Sequence, residues 1–284
     1  MGNLKTFVLM VVLVLIFMWV GDLIGGEGGM KMAFLAALAM NFFSYFFSDK
    51  LVLKHYKATE VKSGMLFDMV KKLSSKAGLP MPKVYTIPEK TPNAFATGRN
   101  PSHAAVAATQ GLLDLMDSNE IEGVLAHELS HIKHYDILTS SVATVFAGAI
   151  SALANFARYR TPSNTNRRSG GLSMLLASVL MPIAAAIVRL AVSRTREFEA
   201  DAGSARLTGH PEWLIKALQK LEFYAKNSVM NRATNQTAHM FIINPLSGVK
   251  SNFSSLFSTH PSTKDRIERL SKFTQEKIGV TLFK

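Results

Sequence analysis

Two long apolar runs open the chain. Phe7 to Val20 is fourteen consecutive apolar residues, and its flanks from Leu4 to Ile24 add only Lys5 and Asp22 as charges. A helix of that length can span a bilayer. The second run, Met32 to Phe47, is interrupted only by Asn41, Ser44 and the hydroxyl of Tyr45. The connection Gly21 to Gly29 carries Asp22 and Glu27 and no base, whereas Lys50, Lys54, Lys57 and Lys62 follow the second run. That asymmetry predicts a helical hairpin with both ends cytoplasmic. A cleaved signal peptide would have an apolar segment of similar length. The weakly charged start, the lack of an A-x-A site and the second apolar run that cleavage would leave exposed favour a retained anchor.

Beyond the hairpin the periodicity changes. Residues 57–78 read as an amphipathic helix ending near Gly78, stopped by Leu79-Pro80-Met81-Pro82. Residues 83–87, 93–98 and 103–109 read as short strands between proline and glycine signals. From Asp117 to Asp136 the period returns to 3.6, with Ile121, Val124, Leu125, Leu129 and Ile132 on one face. Asp117 is placed to act as N-cap, with Glu120 three residues on. Further apolar stretches cover 137–157 and 172–192, joined by a loop holding Arg158, Arg160, Arg167 and Arg168 and no acid. If both crossed the bilayer, those arginines would lie outside, against the charge rule that orients the first hairpin, so a re-entrant or protein-buried hairpin stays open. Residues 211–225 and 262–277 form helices. The former carries Trp213, Leu214, Leu218, Leu221 and Tyr224 on its apolar side. The latter has Ser262 as N-cap, Asp265 at N3, and Arg266, Arg269 and Lys272 on its surface. Residues 226–258 are polar and weakly patterned, a lid or a mobile segment.

The expected fold class is a mainly α membrane protein, with transmembrane helical hairpins and a zincin-like α+β catalytic domain holding a small sheet. Its parts are the hairpin 1–48, a cytosolic part 49–136, the second apolar hairpin 137–192 and a cytosolic part 193–284. Composition narrows the chemistry. With no cysteine, disulfides and thiolate metal sites are excluded. Lys plus Arg exceed Asp plus Glu by 32 to 20, a net charge of +12 that suits nucleic acid or an anionic membrane face. A mean hydropathy of +0.16 with long uncharged runs selects the membrane and no nucleic-acid partner.

On the capped helix His127 and His131 are one turn apart and point the same way. Two imidazoles at i and i+4 can reach one ion, which suits zinc, while Glu128 stands beside the metal-bound water as general base. Without cysteine the third ligand must be His, Glu or Asp. His134 is seven residues along the helix from His127, about 10 Å of rise, too far to share the ion. Glu197 is the better candidate. It shares a helical face with Asp201, so one carboxylate can bind metal while the other accepts the spare N–H of a ligating histidine. Closing the 137–192 hairpin would bring these half-sites together, because His131 lies six residues before it and Glu197 five after. Glu199 points about 200° away around that helix. Arg194 and Arg196 read equally as membrane-surface, snorkelling or substrate-carboxylate contacts. His260, before Pro261, is either an oxyanion-stabilising imidazole or a capping and packing residue. An edge of the strand over 93–98 could pair with an extended peptide, making Asn93, Ala94, Phe95 and Ala96 the expected substrate-binding residues.

His-Glu-Leu-Ser-His at 127–131, followed by Ser-Arg-Thr-Arg-Glu-Phe-Glu-Ala-Asp at 193–201, resembles the HtpX family of bacterial membrane zinc metalloproteases, relatives of the CAAX prenyl proteases. The resemblance extends over the N-terminal hairpin, Pro92 to Gly98 and Thr259-His260-Pro261. It implies one zinc ion, an inner-membrane, multi-pass endopeptidase with a cytosolic active site, and damaged membrane proteins as polypeptide substrates. It also supports a role for His260 in the site. Two alternatives use similar ligands. A processing protease for lipidated C-terminal peptides would be expected to have more than four apolar stretches, and a non-catalytic metal-binding protein would have no need of Glu128. An intramembrane protease is disfavoured because Glu120, Glu122, Lys133 and Asp136 make the histidine helix juxtamembrane.

Overall fold

In a computed structural model the described residues are 2–159, 194–227, Ile242 and 261–282. The fourth apolar stretch, His260 and nearly all of 226–258 lie outside them. The two opening runs form one helical path, α1 (Gly2–His55), broken where Gly25 and Gly26 leave helical geometry. Either side of the break, Thr6–Leu23 and Gly25–His55 are each long and apolar enough to cross a membrane. The reversal is tighter than the nine-residue connection read from sequence. Gly21 and Gly29 make it possible, since a Cβ on Gly21 would collide with the Cβ of Ala33 and the carbonyl of Gly29. Asn41 Nδ2 donates to the Met10 carbonyl across the pair.

After the hairpin comes a four-stranded sheet of order β1-β2-β4-β3. Its strands are β1 (Thr59–Val61), β2 (Lys83–Ile87), β3 (Ala94–Gly98) and β4 (Ala104–Thr109). β1 and β2 are antiparallel, β2 and β4 parallel, β4 and β3 antiparallel. The amphipathic helix expected from residue 57 therefore starts later, as α2 (Met65–Ala77), and the residues before it pair with β2. Gly64 at φ 93° enforces that boundary, a backbone geometry that keeps helix from running back through it. Gly78 closes α2 in the left-handed conformation, as expected.

The histidine helix is α4 (Ser118–Lys133), preceded by a short α3 (Gln110–Leu115). The Asp117 carboxylate accepts from the Asn119 and Glu120 amides, and Glu120 accepts from the Asp117 amide, a complete capping box. One face of α4 enters the main core with Leu73, Val106, Leu112 and Leu218. The third apolar stretch is α5 (Asp136–Tyr159), whose Val142, Ala143, Phe146 and Ala147 are buried. It touches the N-terminal hairpin through a Thr6–Thr139 hydroxyl bond of 2.9 Å, and β3 through a Thr97–Ser141 hydroxyl bond of 2.7 Å.

The remaining described helices are α6 (Arg194–Thr208), α7 (Pro211–Asn227) and α8 (Thr263–Leu282). α6 lies directly on α4. A Cβ at Gly203 would fall inside the Ser130 hydroxyl, and Ser204 Oγ donates to the Gly123 carbonyl at 2.7 Å. Small residues on both helices thus set how closely the second half of the chain meets the first.

Candidate metal centre

The four chemistry-bearing residues read from the sequence converge. His127 and His131 from α4 and Glu197 from α6 each offer one ligand atom, all within 4.8 Å of one another. His127 Nε2 is 3.2 Å from His131 Nε2. The Glu197 carboxylate lies 3.4 Å from His131 Nε2 and 3.9 Å from His127 Nε2. Ligands about 2.0–2.1 Å from a tetrahedral ion stand about 3.4 Å apart, so this spacing already fits a metal.

The hydrogen-bond partners strengthen that fit. His127 Nδ1 faces Asp201 Oδ1 at 3.0 Å, and His131 Nδ1 faces Asp136 Oδ2 at 3.2 Å. A carboxylate can only accept, so each Nδ1 carries the proton and each Nε2 turns a lone pair inward. Two lone pairs at 3.2 Å, beside a carboxylate, suit a cation between them. Charge agrees. Four carboxylates (Glu128, Asp136, Glu197, Asp201) face two guanidiniums (Arg196, Arg266), an excess of two negative charges when all are ionised. A divalent ion balances it.

Asp201 has the support its sequence position foretold and one partner that position did not. Arg266 grips it with two hydrogen bonds, Nε to Oδ2 at 2.9 Å and Nη2 to Oδ1 at 2.6 Å. This arginine, placed on the helix surface by sequence, is 1% exposed. The correction has a physical reason: a guanidinium's fork matches a carboxylate's two oxygens, and the pairing offsets much of the cost of burying both charges. A signal was present, since Arg266 is four residues before the fully buried Leu270 on one face of α8. Burial works to raise the Asp201 carboxyl, but Arg266 and the bond from His127 outweigh it and hold it below the usual carboxylate range. Burial likewise pushes the His127 imidazole down, keeping it neutral as a ligand must be.

Glu128 is buried beside the cluster and accepts the Ala96 amide N–H at 2.9 Å. Burial, aided by Glu197, pushes its carboxyl up to about 7, against the opposing pull of His131, the Ala96 amide and Arg266. A carboxyl poised near neutrality can both take and return a proton.

Of the expected substrate-binding residues, β3 brings the Ala96 main chain to the site. Phe95 packs with Val52, Leu53 and Tyr56 in a second core, and Ala94 lies in the main core. The Asn93 side-chain oxygen accepts from the Ile242 amide at 3.3 Å, and the Ile242 carbonyl accepts from Arg266 at 2.6 Å. Ile242 is thereby fixed beside Arg266, the partner of Asp201. Glu199 is exposed, as its angle foretold, and His134 caps the end of α4 away from the cluster. Arg194 is exposed, whereas Arg196 turns inward to pair with Asp136.

Residues 60–274 match the family model described as Peptidase family M48. A "Protease HtpX homolog" of Campylobacter hominis is 63% identical over 280 residues, covering 97% of this chain and 99% of the relative. One from Sulfurovum sp. is 55% identical over 273 residues, covering 95% and 99%. Among solved structures, S. mikatae Ste24p superposes with a TM-score of 0.50 at 22% identity, covering 94% of this chain and 64% of that one, a likeness of fold. With a paired-histidine helix, a carboxylate completing a group that could hold a metal ion and relatives matched end to end, the chain belongs to peptidase family M48, in its HtpX group of membrane metalloproteases.

Proposed function

We propose that the protein is a zinc-dependent endopeptidase of the bacterial cytoplasmic membrane, with its site on the cytosolic side and damaged or misfolded membrane proteins as substrates. The observation that carries the chemistry is the pair of Nε2 lone pairs facing Glu197, each imidazole fixed from behind by a carboxylate. His127, His131 and Glu197 would hold the ion. Bound there, zinc would supply Lewis acidity toward water and the scissile carbonyl. Glu128 accepts the proton of the attacking water and returns it to the departing amine. Its buried position lets one carboxyl do both, and the Ala96 N–H keeps it aimed at the cluster.

The main-chain edge of β3 from Asn93 through Ala94 and Phe95 to Ala96 is the rail for an extended peptide, which would pair with groups other than the Ala96 N–H that Glu128 holds. Backbone pairing reads little sequence, which suits an enzyme that clears many damaged proteins. The hairpin, with two helices of spanning length, holds this rail near the bilayer where such substrates are found. The lysines after the second span support the cytosolic side.

The test is cleavage of an unfolded, casein-like protein by detergent-purified wild type and Glu128→Ala, each stripped with chelator and resupplied with zinc. Zinc-dependent cutting by wild type, with a loss of at least about 100-fold in the variant at full zinc occupancy, is expected. Appreciable cutting by zinc-loaded Glu128→Ala would remove the assignment of the base.

A further inference from the structure

The two histidines are supported in the same manner from opposite sides, and only one of those supports has a sequence signal. His127 is backed by Asp201, which is held by Arg266. His131 is backed by Asp136, its Nδ1 at 3.2 Å from Oδ2, and the other carboxylate oxygen pairs with Arg196. The three side chains are mostly shielded, His131 at 17%, Asp136 at 12% and Arg196 at 18% exposure. We infer that Asp136, held by Arg196, is a positioning residue that fixes the tautomer and ring direction of His131 for metal binding. The inference rests on the reading of His131 as a metal ligand.

Local backbone geometry is arranged for that contact. α4 ends at Lys133, and Tyr135 adopts φ 61°, a left-handed conformation that costs a bulky residue about 1 kcal/mol or more. This single reversal lets Asp136, five residues after His131, return beneath the imidazole. An unbroken helix would carry residue 136 about 7.5 Å along the axis and 500° around it, off the histidine's face. The backbone strain is therefore located where the contact needs it.

Arg196 connects the two half-sites a second time. It precedes the ligand Glu197 on α6, so one helix delivers both a metal ligand and the cation that holds the other ligand's carboxylate. Asp136 is also the first residue of α5, which is bonded to the N-terminal hairpin through Thr139 and Thr6. The orientation of His131 is thus tied to the packing of the membrane-associated helices, whereas that of His127 is tied to α6 and α8.

The experiment measures zinc affinity by competition with a chromophoric chelator, together with the visible spectrum of the cobalt-substituted protein and thermal unfolding of chelator-treated protein. Wild type, Asp136→Ala, Asp136→Asn, Arg196→Gln and the exposed-site control Glu199→Ala are compared. Loss of a carboxylate behind a ligating histidine lowers metal affinity about 10–100-fold, and Asp136→Ala is expected in that range with an altered cobalt spectrum. Asp136→Asn keeps an acceptor for Nδ1–H, so it should recover part of the affinity while unfolding like wild type without metal. Arg196→Gln should show a smaller loss in the same direction, and Glu199→Ala none. Wild-type affinity and an unchanged cobalt spectrum in Asp136→Ala would overturn the inference while leaving the metallopeptidase intact. Equal loss in Asp136→Asn and Asp136→Ala, matched by lower stability without metal, would also overturn it, by showing a merely structural residue. Failure of wild type itself to bind zinc or cobalt would overturn the metal centre, and this inference with it.

Discussion

The N-terminal hairpin and the catalytic core distribute polarity in opposite senses. The hairpin exposes Leu4, Phe7, Leu15, Met32 and Phe42, each more than half accessible, and buries Thr6, Ser44 and Ser48. The core buries Glu128, Glu197, Asp201 and Arg266 among aliphatic side chains, and its exposed faces carry Lys72, Glu199 and Lys216. Each part is matched to a different solvent. Large exposed apolar surface is stable against lipid, where hydrocarbon outside removes the hydrophobic penalty and small polar groups serve helix contact. Buried ionic surface is stable only where every charge has a partner, and in the core those partners are His127, Arg266 and the Ala96 amide.

The largest effect expected from breaking this contrast is in the core. Arg266→Met removes the guanidinium and leaves Asp201 buried without its cation, which should cost about 3–5 kcal/mol in a denaturant titration. Arg266→Lys should recover little of it, because an ammonium cannot reproduce the fork. A wild-type midpoint for Arg266→Met would show that Asp201 does not depend on the pair.

In the hairpin the corresponding test is Leu15→Arg, with Leu15 60% accessible in the middle of the first span. If that surface faces hydrocarbon, insertion should lose about 2.5–3.5 kcal/mol, read as a shift from membrane-integrated to extractable protein in a translocation assay. Unchanged integration would mean that the surface faces water or another protein.

A comparable effect, with a pH signature, is expected at Glu128 in chelator-treated protein. Its carboxyl titrates at about 7 in the fold and near 4.5 when free. Between those values the unfolded chain releases a proton that the folded one keeps, so rising pH destabilises the fold. Glu128→Gln should therefore stabilise chelator-treated protein by up to about 3 kcal/mol at pH 8 and by almost nothing below pH 4, measured as the difference in melting across pH. The same gain at both pH values would assign it to packing rather than ionisation.

A more modest change is expected at the start of α4. Asp117→Ala removes the capping box and should cost about 1 kcal/mol without altering zinc affinity, since the cap lies more than two turns from His127. A marked loss of zinc affinity would show that the helix frays as far as its ligands.

How much could be read in the chain depended on how local the cause was. The hairpin, the capped α4, β2 and β4 and the His127, Glu128, His131 spacing all follow from interactions within a few residues, and the structure has them where the pattern put them. Glu197 and Asp201 were legible as a pair because one helical turn separates them. The start of α2 was misread because β1 is stabilised by β2, more than twenty residues away, and an amphipathic period does not report a strand partner. Arg266 was misread because an arginine's cost of burial depends on a carboxylate on another helix, Asp201, 65 residues earlier.

Hydrophobic period, caps and side-chain chemistry are properties of short stretches, so the apolar spans, most helix and strand segments and the shared face of His127 and His131 were legible in the chain. Which carboxylate backs which histidine, the inward turn of Arg266 and Arg196, and the Ala96 amide offered to Glu128 arise from the fold. Those choices depend on distances between atoms far apart in the chain, and α4 and α6 come close enough to set them because Gly203 leaves room for Ser130.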